Sequence, residues 1–151
     1  MDASLCIVPA AIEDAAEIAR LSFELGYPKT TEQTRAALER MLMSPAYFVV
    51  VAKAGGGARL GWIAVERRLS LESGESAEIT GLVVAATARR MGVGKALVDA
   101  AEQWARNAGF DAIRVRSNVT RTESHPFYRE IGFRQSKTQH VYIKRIVSDA
   151  A

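Results

Sequence analysis

The residues best placed to do chemistry lie between an apolar run and an amphipathic one. Leu82-Val83-Val84 ends the first, and Arg89-Arg90-Met91-Gly92-Val93-Gly94-Lys95 leads into the second, which continues with Ala96-Leu97. Two glycines flanking Val93 leave backbone N–H groups unobstructed, and Arg89, Arg90 and Lys95 add cations. If the following run is helical, its first turn carries unpaired donors and the positive end of the helix dipole, so the segment suits a pyrophosphate. Spacing separates the phosphate loops that share this composition. A nucleotide-triphosphate loop requires Gly at 89 and Ser or Thr at 96, where this chain has Arg89 and Ala96. A dinucleotide loop requires a third small residue at 97, which is Leu97, and an acidic residue on a strand about 20 positions later. Neither pattern is met.

Holding this loop requires a strand before it and a helix after it. Ala77 to Val84 predicts a strong strand, and Val93, Leu97, Ala100, Ala101 and Trp104 share one stripe of a helix that Asn107 or Gly109 ends. Upstream, Leu5-Cys6-Ile7-Val8 is a β-type run ended by Pro9. Ala15, Ile18, Ala19, Ser22 and Leu25 mark a helix stopped at Gly26-Tyr27-Pro28, and Thr30 with Gln33 has the form of a capping box for a second helix. Tyr47 to Ala52 and Leu60 to Val65 predict a hairpin around Gly55-Gly56-Gly57, followed by a polar loop from Arg67 to Ser76.

Downstream, Ala112 to Arg116 alternates as a strand. Thr122 is a candidate N-cap for a short helix with Pro126 in its first turn and Gly132 at its close. Phe133-Arg134 and His140-Val141-Tyr142-Ile143 predict a final pair of strands. The hairpins are antiparallel, and the strand-helix-strand unit from Ala77 to Arg116 requires one parallel pair, so a mixed sheet with helices on both faces is expected.

The chain has 151 residues, of which 48% are hydrophobic and 25% charged, a balance that predicts one globular domain over residues 1–151. The net charge of +3 is scattered without a long basic run, so nucleic acid is not expected as a partner. No apolar run approaches membrane-spanning length, and Met1-Asp2-Ala3-Ser4 lacks the layout of a signal peptide; no membrane partner and a cytoplasmic location are expected. The lone cysteine, Cys6, sits in an apolar run and is expected as a buried core thiol.

The Arg89-x-x-Gly92-x-Gly94 spacing resembles the coenzyme A signature of the GCN5-related N-acetyltransferases (GNAT), Gln/Arg-x-x-Gly-x-Gly/Ala. Phe127-Tyr128-Arg129-Glu130-Ile131-Gly132-Phe133, with Asn118 in the preceding loop, is similar to the family's Phe-Tyr-x-x-x-Gly-Phe signature. Both stretches occur in the family's order, and the resemblance runs from about residue 5 to residue 145. It implies a three-layer α/β/α fold of the α+β class, with a largely antiparallel mixed sheet and a splayed parallel strand pair. It further implies an N-acetyltransferase that uses acetyl-CoA as co-substrate, without a metal, on a primary amine of a small molecule or protein, and a homodimer. The competing reading is an acyl-CoA-binding regulatory domain that keeps the cradle without turnover.

Carried over residue by residue, the resemblance implies that backbone groups near Leu82 and Val84 bond the pantetheine arm. A nearby N–H, with that of Val83 as candidate, would stabilise the thioester oxyanion. Arg89, Arg90, Met91, Gly92, Val93, Gly94 and Lys95 would surround the pyrophosphate, and Asn118 would contact the arm. Tyr128 would protonate the departing thiolate: a phenol pKa of about 10 lies near a thiol's roughly 8.5. Glu78 would be the general base, with Glu75 or a water chain as alternatives. Phe23, Glu24, Gly26 and Tyr27 would line the acceptor site, and His125 is read as structural or as a cofactor neighbour.

Overall fold

Strands form where apolar and β-branched residues alternate, and five of them make one sheet. The computed structural model describes residues 4–117 and 124–147. The chain forms two compact units, residues 1–116 and residues 117–151. In the first, the elements follow as β1 (Leu5–Pro9), α1 (Ala15–Glu24), α2 (Thr31–Leu42), β2 (Tyr47–Ala54), β3 (Arg59–Ser70), β4 (Gly74–Val84), α3 (Val93–Asn107) and β5 (Ile113–Val115). Sheet order equals chain order, β1-β2-β3-β4-β5. All neighbours are antiparallel except β4 and β5, which are parallel.

Side-chain alternation assigns the layers. Val49 and Val51 of β2 join Ala15 and Ile18 of α1 and Leu38 of α2 in one core cluster. Their neighbour Phe48 points to the opposite face, where its ring stacks on Trp104 of α3 with centroids 5.5 Å apart. The sheet therefore carries α1 and α2 on one face and α3 on the other, the three-layer α+β arrangement the sequence predicts. The α2 capping box forms as expected: Gln33 N–H donates to Thr30 Oγ1 at 3.0 Å, and Thr30 N–H donates to Gln33 Oε1 at 2.9 Å. Asp14, buried ahead of α1, accepts from Ala11 N–H at 2.8 Å and from Arg59 Nε at 2.9 Å, pinning the entry of α1 to the β2–β3 hairpin.

Three expectations are corrected. The stretch from Arg67 to Ser76 is not a loop: β3 and β4 stay paired out to Ser70 opposite Gly74, and Gly74 supplies the positive φ of 71° that the tight turn needs. Its polarity reflects exposure of the hairpin tip, not absence of strand. Cys6 is exposed, because β1 is an edge strand that among the described residues pairs only with β2, and its alternate residues face outward. Among the described residues no strand follows β5: the residues from Phe133 to Val147 have strand propensity but join no sheet, and Val141, Tyr142, Ile143 and Ile146 are each at least 80% exposed. Propensity alone does not make a strand without a partner.

The second unit contains α4 (Ser124–Glu130). Pro126 occupies its first turn, and Gly132, at φ 102°, closes it through Phe133 N–H donating to Tyr128 C=O at 2.9 Å. The candidate cap Thr122 lies outside the described residues.

Candidate active site

The site begins with an irregularity in the sheet. Ala64 pairs with Gly81 and Val65 with Ile79, so Thr80 is an extra residue on β4, a β-bulge, and its hydroxyl donates to Ala64 C=O at 3.3 Å. A bulge bends its strand and increases local twist. Consistent with that, β4 pairs with β5 only from Ala77 to Ile79 and then runs on to Val84 without a partner on that side among the described residues.

Which backbone groups face this open edge follows from alternation. Ala85 N–H donates to Leu60 C=O at 2.8 Å, and the Val83 carbonyl oxygen lies 2.6 Å from where a Cβ on Gly61 would sit. Val83 and Ala85 therefore turn their backbone groups toward β3, and Leu82 and Val84 turn theirs outward. The expectation that Val83 N–H meets a thioester oxygen is corrected on this ground: that amide belongs to the β3–β4 ladder. Leu82 and Val84 present the available donors and acceptors.

The open edge leads directly into the predicted cradle. After a one-turn 3-10 helix (Ala86–Ala88), the chain turns through Arg89 to Gly92 and enters α3 at Val93. Arg90 and Gly92 adopt left-handed φ values of 66° and 79°, which reorients successive N–H groups in the turn. As the N-cap of α3, Gly92 has no side chain to occupy the first-turn donors, and no acidic residue lies in that turn. Gly94 and Lys95 are in the first turn, and Lys95 Nζ pairs with Asp99 Oδ2 at 3.0 Å. A Cβ on Gly92 would meet nothing within 4 Å, so here the glycine serves its backbone angle and not close packing.

An unpaired strand edge running into an uncapped helix N-terminus fits the two halves of coenzyme A. The edge suits the amide-bearing pantetheine arm, and the turn with the α3 amides suits the pyrophosphate.

Glu78 lies on β4 four residues before Leu82, about 13 Å if that strand were fully extended. It is 4% exposed. Its Oε2 accepts from Arg116 Nε at 3.1 Å and from Arg68 Nη1 at 3.3 Å, while Oε1 is buried with no hydrogen-bond partner among the described residues. Glu75, the alternative base, is exposed near the hairpin tip. Neither arginine stood out in the sequence. Arg68 could be found only with the β3–β4 register in hand, whereas the alternation of Arg114 and Arg116 already placed both on one face of β5.

The predicted acceptor wall stands beside the end of β4. Glu24, the last residue of α1, accepts a long hydrogen bond of 3.4 Å from Ala86 N–H and pairs with Arg20 at 3.2 Å, so it is engaged within the fold. Phe23 is 68% exposed and Tyr27 50% exposed, on either side of the turn at Gly26. In the second unit Tyr128 is edge-on to Phe127 and Phe133, with centroids 5.2 and 5.6 Å away, and His125 is partly buried on α4. Asn118 lies outside the described residues.

The profile of the acetyltransferase (GNAT) family matches residues 12–133. The chain is 32% identical over 140 residues to the aminoglycoside N(6')-acetyltransferase type 1 of Klebsiella aerogenes, covering 88% of this chain and 91% of that one. It is 40% identical over 67 residues to YhdJ, an uncharacterised N-acetyltransferase of Bacillus subtilis (strain 168); this match spans 44% of the chain and 47% of that protein. Its fold superimposes on the aminoglycoside N-acetyltransferase AAC(6')-Iy in complex with CoA with a TM-score of 0.86 at 20% identity, over 96% of this chain and 97% of that one. The chain belongs to the GNAT acetyltransferase family. Its activity is transfer of an acetyl group from acetyl-CoA to an amine.

Proposed function

We propose that this acetyltransferase modifies a primary amine of an aminoglycoside-type amino sugar by direct attack in a ternary complex, with residues 1–151 acting as one catalytic domain. The observation that carries the acceptor class is the match along 88% of the chain to the Klebsiella aerogenes aminoglycoside N(6')-acetyltransferase. The exposed rings of Phe23 and Tyr27 beside the end of β4 support it, since such faces can stack on the apolar faces of a sugar.

Acetyl-CoA supplies the acetyl group as a thioester. The outward backbone groups of Leu82 and Val84 bind the pantetheine arm as a neighbouring strand would, and Leu82 N–H donates to the thioester oxygen as charge develops on it. Arg89, Arg90, Met91 and Gly92, with the amides of Val93, Gly94 and Lys95, hold the pyrophosphate, and Asn118 contacts the arm. Glu78 takes a proton from the substrate ammonium, freeing the neutral amine to attack the thioester. Its burial and its four-residue separation from Leu82 favour relay through water over direct contact. Tyr128 donates a proton to the departing sulfur.

The test is thiol release with mass detection of product over a panel of aminoglycosides, simple amino sugars, polyamines and lysine peptides. Acetylated aminoglycoside is expected. Turnover confined to lysine peptides would overturn the acceptor class, and coenzyme A binding without thiol release on any amine would overturn catalysis. In the same assay Tyr128→Phe should lower kcat about a hundredfold and leave acetyl-CoA affinity within about twofold. An unchanged kcat removes Tyr128 from this role.

A cytoplasmic homodimer completes the proposal. Among the described residues no helix is long and apolar enough to cross a membrane, and Val141, Tyr142, Ile143 and Ile146 offer exposed apolar surface for a second copy. Sedimentation velocity at micromolar concentration checks the dimer.

A further inference from the structure

We infer that Arg68 and Arg116 are positioning residues for Glu78: by occupying one carboxylate oxygen together, they select the other, Oε1, as the atom that accepts the substrate's proton. The inference rests on the reading of Glu78 as general base. Its own ground is the asymmetry of the carboxylate. Both guanidiniums bond Oε2, at 3.1 and 3.3 Å, and Oε1 is buried without a partner among the described residues.

The two arginines reach Glu78 from different strands. Arg68 is on β3, and Arg116 directly follows β5. Their side chains are 47% and 53% exposed, whereas that of Glu78 is 6% exposed, so two solvated cations meet one buried anion. The charged groups facing Glu78 come from both flanking strands. Glu66 is directly opposite on β3 and Arg114 directly opposite on β5, with Arg68 and Arg116 two residues further along. A glutamate directly opposite another is unfavourable, and a buried carboxylate requires counter-charge; the two guanidiniums answer both.

Hydrogen bonds to one oxygen from two directions also restrict rotation of the carboxylate about its terminal torsion. A freely turning carboxylate would present either oxygen to a relay. This one holds Oε2 against the arginines and keeps the lone pairs of Oε1 in a fixed direction. In the step itself, the N–H bond of the ammonium breaks, its electron pair stays on nitrogen for attack, and the proton arrives on Oε1 through water.

The test compares Glu78→Gln, Arg68→Met, Arg116→Met and the two lysine variants in kcat, acetyl-CoA affinity and the pH profile of kcat/KM. Glu78→Gln identifies the acid limb that belongs to the base, as the limb it abolishes. Removal of either guanidinium should displace that limb and lower kcat roughly tenfold near neutrality, with acetyl-CoA affinity unchanged. The lysine variants, which keep the cation, should bring the limb back toward its original position and recover only part of kcat, because a point charge cannot reproduce the guanidinium geometry. The position of the limb does not depend on the fraction of enzyme that is folded, so loss of stability in a methionine variant leaves the readout intact. If Glu78→Gln abolishes activity and the arginine variants leave the limb in place, the positioning role is wrong and the base reading survives. If Glu78→Gln changes neither kcat nor the profile, the base reading fails and this inference with it.

Discussion

At the scale of single residues, Gly92 states most clearly what the cradle demands. Its φ of 79° lies in the left-handed region, and a Cβ there would touch nothing within 4 Å. The sequence gives the glycine a steric purpose, room for a close phosphate, and the structure adds a conformational one. The two accounts predict different substitution patterns. Asparagine tolerates the left-handed region, and valine does not, at a cost of about 1–2 kcal/mol. Gly92→Val should therefore weaken acetyl-CoA binding about tenfold or more, and Gly92→Asn should stay within about threefold. Equal losses in both, measured by calorimetric titration, would favour steric exclusion by the bound phosphates. The direction of the Val83 amide is hidden from the sequence for a related reason. Residue order names a strand end, but the direction of each amide depends on register and on the bulge at Thr80. Neither is visible in composition or spacing.

At the scale of elements, the bulged β4 is held in place by close contacts that a small substitution would break. A Cβ on Gly81 would lie 2.6 Å from Trp62 Cη2 and 2.7 Å from Cζ3, and Trp62 itself packs against the core cluster of α1 and α2. Gly81→Ala should thus cost about 1–3 kcal/mol in urea denaturation. In a Trp62→Phe background, which deletes the outer ring of the indole, the cost should fall by at least about 0.5 kcal/mol. Strict additivity would show that the indole is not the obstacle. Helix α1 offers a pH test. The side-chain hydrogen bond from Arg20, at 2.8 Å, holds the Glu17 carboxyl below its ordinary range, with the Arg20 and Arg59 charges helping and slight desolvation opposing. A carboxyl lowered by folding stabilises the folded state above its unfolded pKa, and that contribution disappears as pH falls through the folded value. Both side chains are about half exposed, at 50% and 42%, so the contribution is below about 1 kcal/mol. Glu17→Gln should cost a few tenths of a kcal/mol at neutral pH and progressively less as pH falls through the folded carboxyl's lowered range; a cost that does not change with pH would place its origin outside the ion pair. The elements themselves were largely legible. The α2 capping box, the α3 stripe and the Gly132 stop each rest on local residue chemistry. The β3–β4 hairpin was underread because its tip is polar on both faces, and with it went Arg68, whose partner is ten residues away in sequence and across a strand pair in space.

At the scale of the whole molecule, the order of strands and helices and the parallel pair could be deduced from the chain, because a parallel connection needs a crossover and α3 is the helix of the strand-helix-strand unit that joins β4 to its neighbour β5. The family resemblance implies an opening near Leu82 and Val84, but the bulge at Thr80 beside it could not be deduced, since it is a matter of register between β3 and β4. That opening leaves backbone donors and acceptors of Leu82 and Val84 without a neighbouring strand among the described residues, and it joins an uncapped helix terminus. A ligand that satisfies both should bind the folded chain and not the unfolded one, because neither feature survives loss of the sheet. Linkage then fixes the size of the effect. At a free concentration one hundred times the dissociation constant, coenzyme A should add about 2.7 kcal/mol to stability. For a chain of this size, each kcal/mol raises Tm by about 2–4 °C, so the expected shift is about 5–11 °C. The shift should grow with the logarithm of concentration, shrink in Gly92→Val, and persist in Glu78→Gln, which leaves edge and cradle intact. A shift lost in Glu78→Gln but kept in Gly92→Val, by differential scanning fluorimetry, would place the cofactor near the carboxylate and away from the α3 terminus.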